Sequence, residues 1–288
     1  MISPAPPGVR TAPPTGKRPL GRQAGFTMIE LLVTIVIITL LIGLLLPAIN
    51  SARKSAINAR VRAEISSLET AIGAFKAKYG FEPPSQITIW TTTNDWNDHA
   101  YDKGYIRRMF PQYDFTNNPA GGSGFTSATT LNGEQCLVFF LGGMLRLYDP
   151  MDPTKGGTLV GFSKIPSRPF ETSTSNREGP YFEFDTTRLN ISGNAATYVP
   201  PFPSASQPYV YFSSYEGGGY TASDSSLCSP YTSAGGDFYK PNSFQIICAG
   251  ADNEFGSATS FDPNNTSALD TAAGDNITNF HSGSLGGL

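Results

Sequence analysis

The chain has little charge and few side chains suited to catalysis. Charged residues make up 15% of its 288 residues, against about 25% in ordinary globular proteins. The net charge of −3 provides no basic field for DNA or RNA, so we predict no nucleic-acid binding. Histidine occurs only at His99 and His281, and neither lies in a motif for nucleophilic or metal catalysis. These shortages favour a protein that is not an enzyme.

Cysteine and nucleotide-binding motifs are also scarce. The three cysteines, Cys136, Cys228 and Cys248, exclude a dense disulfide framework but allow one disulfide and one free thiol in an oxidising compartment. The sequence has no Cys-x-x-Cys pair, which argues against a structural zinc site. It also has no P-loop and no dinucleotide-binding glycine pattern. Gly, Ser, Thr, Asn and Pro replace the missing charges, a composition typical of a loop-rich domain outside the cytosol.

One long apolar run follows a basic N-terminal segment. Residues 1–25 carry four basic side chains and no acidic one, which leaves 16 basic and 23 acidic residues in the remainder. Residues 26–49 form an apolar run in which Glu30 is the one ionisable side chain, and about 20 such residues cross a bilayer. We predict a leader (1–25) and a transmembrane helix half (26–49) in the cytoplasmic membrane. The positive-inside rule places the C-terminal bulk outside the cytoplasm, although basic residues after the run weaken that orientation.

The helical pattern continues beyond the membrane-length segment, with a second half at residues 50–80. Its apolar stripe has spacings of four and three residues and comprises Val61, Ile65, Leu68, Ile72, Phe75 and Tyr79. Gly80 and the prolines at 83 and 84 predict its end. Pro47 removes the hydrogen bond to the carbonyl of Gly43, so we expect a kink or a loosened turn there.

The remainder, residues 81–288, favours short strands and long loops. Candidate strands are 86–90, 135–141, 181–185, 208–213 and 244–249, because each is rich in β-branched or aromatic residues between turn-forming ones. Residues 91–134 and 214–243 are predicted loops. The fold class is therefore α+β: a long N-terminal transmembrane-plus-amphipathic helix packed on a small antiparallel β-sheet, in a loop-rich arrangement.

The small residue at the start of the apolar run points to a particular kind of processing. A secretory signal peptide has its small residues after the apolar stretch, whereas Gly25 precedes it. The segment Gly25-Phe26-Thr27, with Glu30 and two leucines behind it, resembles the N-terminus of type IV pilins and type II secretion pseudopilins. The resemblance implies that a membrane prepilin peptidase cuts between Gly25 and Phe26 and methylates the Phe26 amine. It further implies assembly with copies of itself, with other pilin-like subunits and with an inner-membrane platform.

The carboxylate of Glu30 is expensive in lipid, by a few kcal/mol, which marks it as a functional residue. After cleavage it lies one turn into the helix, where the dipole favours negative charge. We expect it to pair with the N-terminal amine of a neighbouring subunit, because desolvation strengthens the attraction and penalises misregister. The alternatives are that it pairs with its own N-terminus or lies at the headgroup level. Pro47, the twenty-second residue of the processed chain, also matches the family pattern and is assigned to assembly.

The acidic C-terminal segment resembles the end of the major type II pseudopilin, in which a strand leads into a calcium loop. The segments that carry this resemblance are FQIICAGADNEFGS and GDNITNF. The resemblance implies Asp252 and Asp275 as calcium ligands, with Asn253, Glu254 and Asn276 as weaker candidates beside backbone carbonyls. The sequence departs from the pattern because 22 residues, 253–274, separate the two aspartates. These side chains also suit simple turn formation.

Together these features predict a structural subunit of a type II secretion pseudopilus. One alternative is a type IV pilus subunit for adhesion, motility or DNA uptake. Another is a membrane-tethered binding module that never polymerises. The globular part, some 200 residues after the helix, is larger than a compact major pseudopilin and suggests a specialised subunit.

Overall fold

The long N-terminal helix predicted from the sequence is present. A computed structural model describes residues 25–117, 125–146 and 157–287, so the predicted leader lies outside the described residues except for Gly25. Helix α1 runs from Met28 to Tyr79. The chain divides into two compact units, Met1–Ser51 and Ala52–Leu288, and α1 contributes residues to both. Short antiparallel sheets and loops follow the helix, which confirms the α+β class.

The C-terminal half of α1 buries the predicted stripe. Val61, Leu68, Ile72 and Phe75 are fully buried in the main core. Because these residues recur every three or four positions, they lie on one face of the helix. The helix ends where predicted: Gly80 has a φ of 82°, in the left-handed region that glycine adopts easily, and its N–H donates to the carbonyl of Lys76 over 2.8 Å.

The other described elements are short. The helices are α2 (Thr93–Asp98), α3 (Ala100–Met109), α4 (Gly133–Gly142) and α5 (Thr271–Gly274). The strands are β1 (Ile87–Ile89), β2 (Thr129–Leu131), β3 (Leu145–Arg146), β4 (Thr158–Leu159), β5 (Phe162–Ser163), β6 (Arg177–Glu178), β7 (Leu189–Ser192), β8 (Ala195–Tyr198), β9 (Val210–Ser213), β10 (Phe244–Cys248) and β11 (Ile277–Thr278). Four antiparallel pairs form two-stranded sheets: β1–β2, β3–β4, β5–β6 and β7–β8.

A three-stranded antiparallel sheet, in the order β11–β10–β9, is buried on both faces. Successive side chains of a strand point to opposite faces. Tyr211 and Ile246 accordingly join the main core with the α1 stripe, whereas Phe212 and Ile247 join a second core with Phe255. This double burial explains why the predicted strands 208–213 and 244–249 are almost entirely apolar.

The predicted strand at residues 135–141 is wrong, because these residues form most of α4. Asn132 accepts the backbone N–H of Gln135, and the Gln135 side chain accepts the N–H of Asn132, which is a complete capping box. Every residue of α4 except Gln135 is buried. A short helix that is apolar almost all round has no periodicity to separate it from a buried strand.

Two further local predictions are wrong. Residues 91–134, predicted as a loop, contain α2, α3 and β2, and Thr92 caps α2 by accepting the N–H of Asp95. Residues 181–185 form no strand, since the N–H groups of Tyr181 and Phe182 both donate to the carbonyl of Leu141 rather than to a strand ladder. The three cysteines are free thiols, so the disulfide that the sequence allows is not formed.

Candidate processing and assembly site

The first turn of α1 is closed by a reciprocal pair of side chains. The N–H and the hydroxyl of Thr27 both donate to Oε2 of Glu30, over 2.9 and 2.7 Å, and the N–H of Glu30 donates to the Thr27 hydroxyl over 3.3 Å. This is a capping box, in which a threonine before the helix and a glutamate three residues later satisfy each other's backbone groups. The sequence signal for this capping box is the Thr-x-x-Glu pattern of Thr27 and Glu30 in GFTMIELL.

Gly25 is not required by the local structure. A side chain added there meets no described atom within 4 Å, and its backbone does not adopt the left-handed conformation. Glycine is usually needed in a fold for a positive φ or for a close approach, and neither applies here. Phe26, the next residue, is 80% exposed. Both residues are therefore open to recognition by another protein.

The segment from 25 to 50 is exposed at every residue, although most of its side chains are apolar. Within the described residues, α1 is the one helix that is long and apolar enough to cross a membrane. The hydroxyls of Thr34 and Thr39 donate to the carbonyls of Leu31 and Ile35, over 2.8 and 2.7 Å. Their polar groups are thus satisfied inside the helix, as lipid requires.

Pro47 lies inside α1, and the helix continues on both sides of it. The proline has no N–H to donate to the carbonyl of Gly43, so the hydrogen-bond ladder has a gap within the apolar segment. A side chain added at Gly43 meets no described atom within 4 Å. The weak point is therefore not reinforced by packing within the described chain, which leaves the role of Pro47 in assembly a prediction.

Comparison with known families separates this N-terminus from an ordinary membrane anchor. Residues 20–46 match the family described as Prokaryotic N-terminal methylation motif. The chain carries a prepilin-type N-terminal methylation motif. The motif is typical of type IV pilins and pseudopilins, and it implies processing by prepilin peptidase and assembly with other pilin subunits. Searches of curated proteins and of solved structures found no match.

The match places this prepilin-type motif over the residues that the sequence singles out. It includes Gly25, Phe26 and Glu30 and ends one residue before Pro47. The long apolar segment of α1 at the N-terminus supports membrane anchoring. The cleavage point, the methylated amine and the pairing of Glu30 stay predictions.

The acidic C-terminal segment brings together the two aspartates predicted to bind calcium. Oδ2 of Asp275 accepts the N–H groups of Ala251 and Asp252, over 2.7 and 3.1 Å. Oδ1 of Asp252 accepts the N–H of Glu254 over 2.9 Å, a turn bond of the kind that aspartate often makes. Asn253, predicted as a weaker ligand, instead uses its Oδ1 to accept the N–H groups of Ser206 and Gln207.

The charged form of the Asp275 carboxyl is disfavoured in the folded domain. Burial raises the pKa of Asp275, and the nearby carboxylate of Asp252 raises it further, against the lowering effect of the two N–H donors. Within the described residues, Oδ1 of Asp275 and Oδ1 of Asn276 are buried without a hydrogen-bond partner. The described part of the chain contains no group of three or more His, Cys, Asp or Glu side chains placed to hold a metal ion. Any calcium ligands that the described residues add to the two aspartates would therefore be neutral oxygens.

A polar cluster that no local sequence pattern indicates fixes the C-terminal half of α1 to the globular domain. Glu64 forms an ion pair with Arg188, and its two oxygens also accept the hydroxyls of Tyr198 and Tyr209, over 2.9 and 2.6 Å. Burial raises the pKa of Glu64, but the hydrogen bonds and the charge of Arg188 lower it more, so the net shift is downward. The partners lie 124 to 145 residues away in sequence, and no local pattern announces them.

The two histidines lie apart in the globular domain. His99 stacks on Trp90 with ring centroids 3.9 Å apart, and its Nδ1 lies 2.8 Å from the carbonyl oxygen of Asp95. His281 packs against the ring of Phe261 at 4.9 Å. Both positions are accounted for by packing, and the non-enzymatic role stays a prediction.

Proposed function

We propose that the chain is a non-catalytic structural subunit of a type II secretion pseudopilus, anchored in the inner membrane with its C-terminal domain in the periplasm. The methylation motif at residues 20–46 carries this proposal. Prepilin peptidase cuts between Gly25 and Phe26 and methylates the new amine. The subunit then leaves the bilayer, through the inner-membrane assembly platform, and joins a helical filament.

The capping box gives Glu30 a defined position before and after cleavage. Both Thr27 bonds use Oε2. Within the described chain no bond involves Oε1, so that oxygen is available to the Phe26 amine of a neighbouring subunit. A methylated amine keeps its positive charge, and the pair strengthens as it is desolvated between packed apolar helices. The exposed apolar surface from 26 to 49 supplies the area that such packing buries.

The first test is the mass of the mature N-terminus. We expect a chain that begins with N-methyl-phenylalanine at Phe26, and an intact leader in cells that contain the peptidase contradicts the proposal. Electron microscopy of sheared filaments then separates a filament subunit from a tethered binding module, because the tethered module forms none.

A second experiment separates a role in the pseudopilus from a role in a type IV pilus, because the methylation motif is typical of subunits of both. The resemblance of the C-terminal segment to the major pseudopilin favours secretion. If the chain serves secretion, cells that lack it should accumulate exported proteins in the periplasm and should still form surface pili. Loss of surface pili with normal secretion favours the pilus instead.

We also propose that Asp252 and Asp275 hold a structural calcium ion with neutral oxygens nearby. The support is the unpartnered buried Oδ1 of Asp275 beside a second carboxylate, a combination that a cation relieves. Thermal unfolding of the mature chain in detergent tests this proposal. Calcium should raise the unfolding temperature above that in chelator, and magnesium at the same concentration should raise it less.

A further inference from the structure

A lysine and an asparagine from distant parts of the globular domain meet at one carboxylate oxygen. Nζ of Lys240 donates to Oε1 of Glu69 over 2.8 Å, and Nδ2 of Asn279 donates to the same oxygen over 3.0 Å. Glu69 comes from α1, Lys240 precedes β10, and Asn279 follows β11. The amine and the side-chain amide nitrogen therefore both lie within hydrogen-bond distance of the same oxygen of an acid–base group.

The amide of Asn279 is held in one orientation. Its Oδ1 accepts the backbone N–H of Ile246 over 3.0 Å, and its Nδ2 also donates to the carbonyl of Phe244 over 3.2 Å. These partners fix which end of the amide is oxygen. The N–H of Ile246 polarises the carbonyl and is placed to stabilise negative charge that develops on Oδ1 during attack on Cγ.

The backbone of Lys240, whose side chain reaches this site, adopts an unfavourable conformation. Its φ is 51°, in the left-handed region that a lysine seldom adopts. The conformation is held by two donors to its carbonyl: the hydroxyl of Tyr220 over 2.6 Å and the N–H of Ser243 over 3.0 Å. The Nζ atom lies 5.9 Å from the ring centroid of Phe244, and the lysine, glutamate and asparagine are all partly buried.

We propose that Lys240 and Asn279 form an intramolecular isopeptide bond, with Glu69 as the proton carrier. Glu69 accepts a proton from the Lys240 ammonium, and the neutral Nζ attacks Cγ of Asn279. Glu69 passes protons from Nζ to Nδ2, the Cγ–Nδ2 bond breaks, and the Asn279 nitrogen leaves as ammonia, which becomes ammonium in water. One Nζ proton remains in the new amide and the other two leave with the ammonium. No oxidant or co-reactant is required.

The bond would close a covalent loop that contains β10, the acidic segment with Asp252 and Asp275, and β11. This loop lies against α1 through Glu69. Such a cross-link restricts the unfolded chain in the way that a disulfide does, in a protein whose three cysteines are free. It would therefore protect a subunit under mechanical load, although the chemistry does not depend on assembly into a filament.

The test is the intact mass of the full-length precursor, purified in detergent from cells without prepilin peptidase. We expect a mass lower than the sequence mass by one ammonia, and proteolysis should yield a branched peptide that joins Lys240 to Asn279. The variants K240R and E69Q should have their full sequence masses. K240R keeps a cation beside Glu69 but has no amine nucleophile, and E69Q keeps the shape but cannot carry the proton.

The matched control is K76R, which alters another lysine–glutamate ion pair, Lys76 with Glu82 at 3.1 Å. It should lose ammonia as the wild type does. The proposal is overturned if the folded wild-type chain has its full sequence mass and yields Lys240 and Asn279 in separate linear peptides. It is also overturned if K240R loses ammonia, because the loss then occurs elsewhere.

Discussion

Thr27 and Glu30 bind each other at the first turn of α1, with the threonine N–H and hydroxyl on Oε2 of the glutamate. This contact gives the glutamate a structural role inside one subunit that is independent of any neighbour. The proposed pairing with a neighbouring amine needs the charge of Glu30, whereas the contact with Thr27 needs only a hydrogen-bond acceptor, and the two can be separated by substitution.

The variant Glu30→Gln should separate them. Glutamine still accepts the Thr27 N–H, as it does in capping boxes generally, but it carries no charge to pair with a neighbouring amine. We expect normal membrane insertion and cleavage, and incorporation into filaments lower by about tenfold or more, because the charge pair with the neighbouring amine is lost. Quantitative immunoblotting of sheared filaments against the total subunit measures this.

Thr27→Ala is the control for that experiment. It removes the capping hydroxyl, worth about 1 kcal/mol to the helix, and keeps the carboxylate of Glu30. Filaments should form at close to the wild-type level. If instead T27A assembles poorly and E30Q assembles normally, helix capping rather than charge pairing is what assembly requires.

The second prediction concerns Gly133, where the start of α4 lies close to the backbone of β9. A Cβ at Gly133 would overlap the carbonyl oxygen of Tyr211 in β9, and that backbone is fixed within the three-stranded sheet. We expect Gly133→Ala to lower the free energy of unfolding by about 2 kcal/mol. Denaturation followed by the fluorescence of Trp90 and Trp96, on the mature chain in detergent, measures the change.

Gly73→Ala is the matched control for the Gly133 substitution. Gly73 lies inside α1, is exposed, and has no described atom within 4 Å of an added Cβ. Alanine there should raise stability by roughly 0.5–1 kcal/mol, because it favours the helix more than glycine does. Equal effects of the two substitutions would show that Gly133 is not confined by β9.

The contrast between α1 and α4 shows how far local sequence patterns reach. The α1 stripe repeats over six positions from Val61 to Tyr79, so its period identifies a helix. Helix α4 buries nearly its whole surface, which erases any period, and the informative signal was instead the cap formed by Asn132 and Gln135. Besides the adjacent β2, its packing partners are β8 and β9, which lie more than 50 residues further along the chain, and no single-sequence pattern reports those contacts.

The residues of the candidate sites also differ in how far the sequence predicts them. Gly25, Phe26 and Glu30 could be singled out because the motif is contiguous and lies at the start of one long apolar helix. Asp252 and Asp275 were predicted as a pair only through the resemblance to the major pseudopilin, since 22 residues lie between them in the sequence. The Glu64–Arg188 and Glu69–Lys240–Asn279 contacts depend on tertiary packing between remote segments, which a single sequence does not encode in any local pattern.

The effect of Asp275→Asn should change sign with calcium. In chelator the raised pKa of Asp275 means that its charged form is disfavoured in the folded state, so stability falls as pH rises through that pKa. Asparagine removes the charge and can still accept the N–H groups of Ala251 and Asp252. We expect D275N to be about 1 kcal/mol more stable than wild type in chelator at pH 7.

With calcium the order should reverse, because asparagine is a weaker ligand and the wild-type chain gains binding free energy. Thermal unfolding of both chains with calcium and with chelator gives the four values needed. If D275N is the more stable chain under both conditions, the carboxylate does not bind the ion.

The Glu64–Arg188 pair predicts a pH dependence of opposite sign. The pKa of Glu64 is lowered in the folded state, so its contribution is present above the unfolded value of about 4.3 and is lost as pH falls through the folded value. Glu64→Gln leaves the largely buried Arg188 without its closer charge partner, with only Asp185 at 3.7 Å, and should lower the free energy of unfolding by about 3 kcal/mol at pH 7. The difference from wild type should shrink as the pH falls from about 5 towards 3.

Tyr209→Phe is the control that separates the charge of this cluster from its hydrogen bonds. It removes one donor to Glu64, at 2.6 Å, and leaves the ion pair in place. We expect a loss of about 1 kcal/mol that changes much less with pH than the E64Q effect, because the Arg188 charge still lowers the pKa of Glu64. Urea denaturation of the three chains between pH 3 and pH 7 provides the comparison. The contrary outcome is a difference in the free energy of unfolding between E64Q and wild type that widens as the pH falls. It would mean that Glu64 is protonated in the folded domain at neutral pH. The ion pair would then not be what fixes the C-terminal half of α1 to the globular domain.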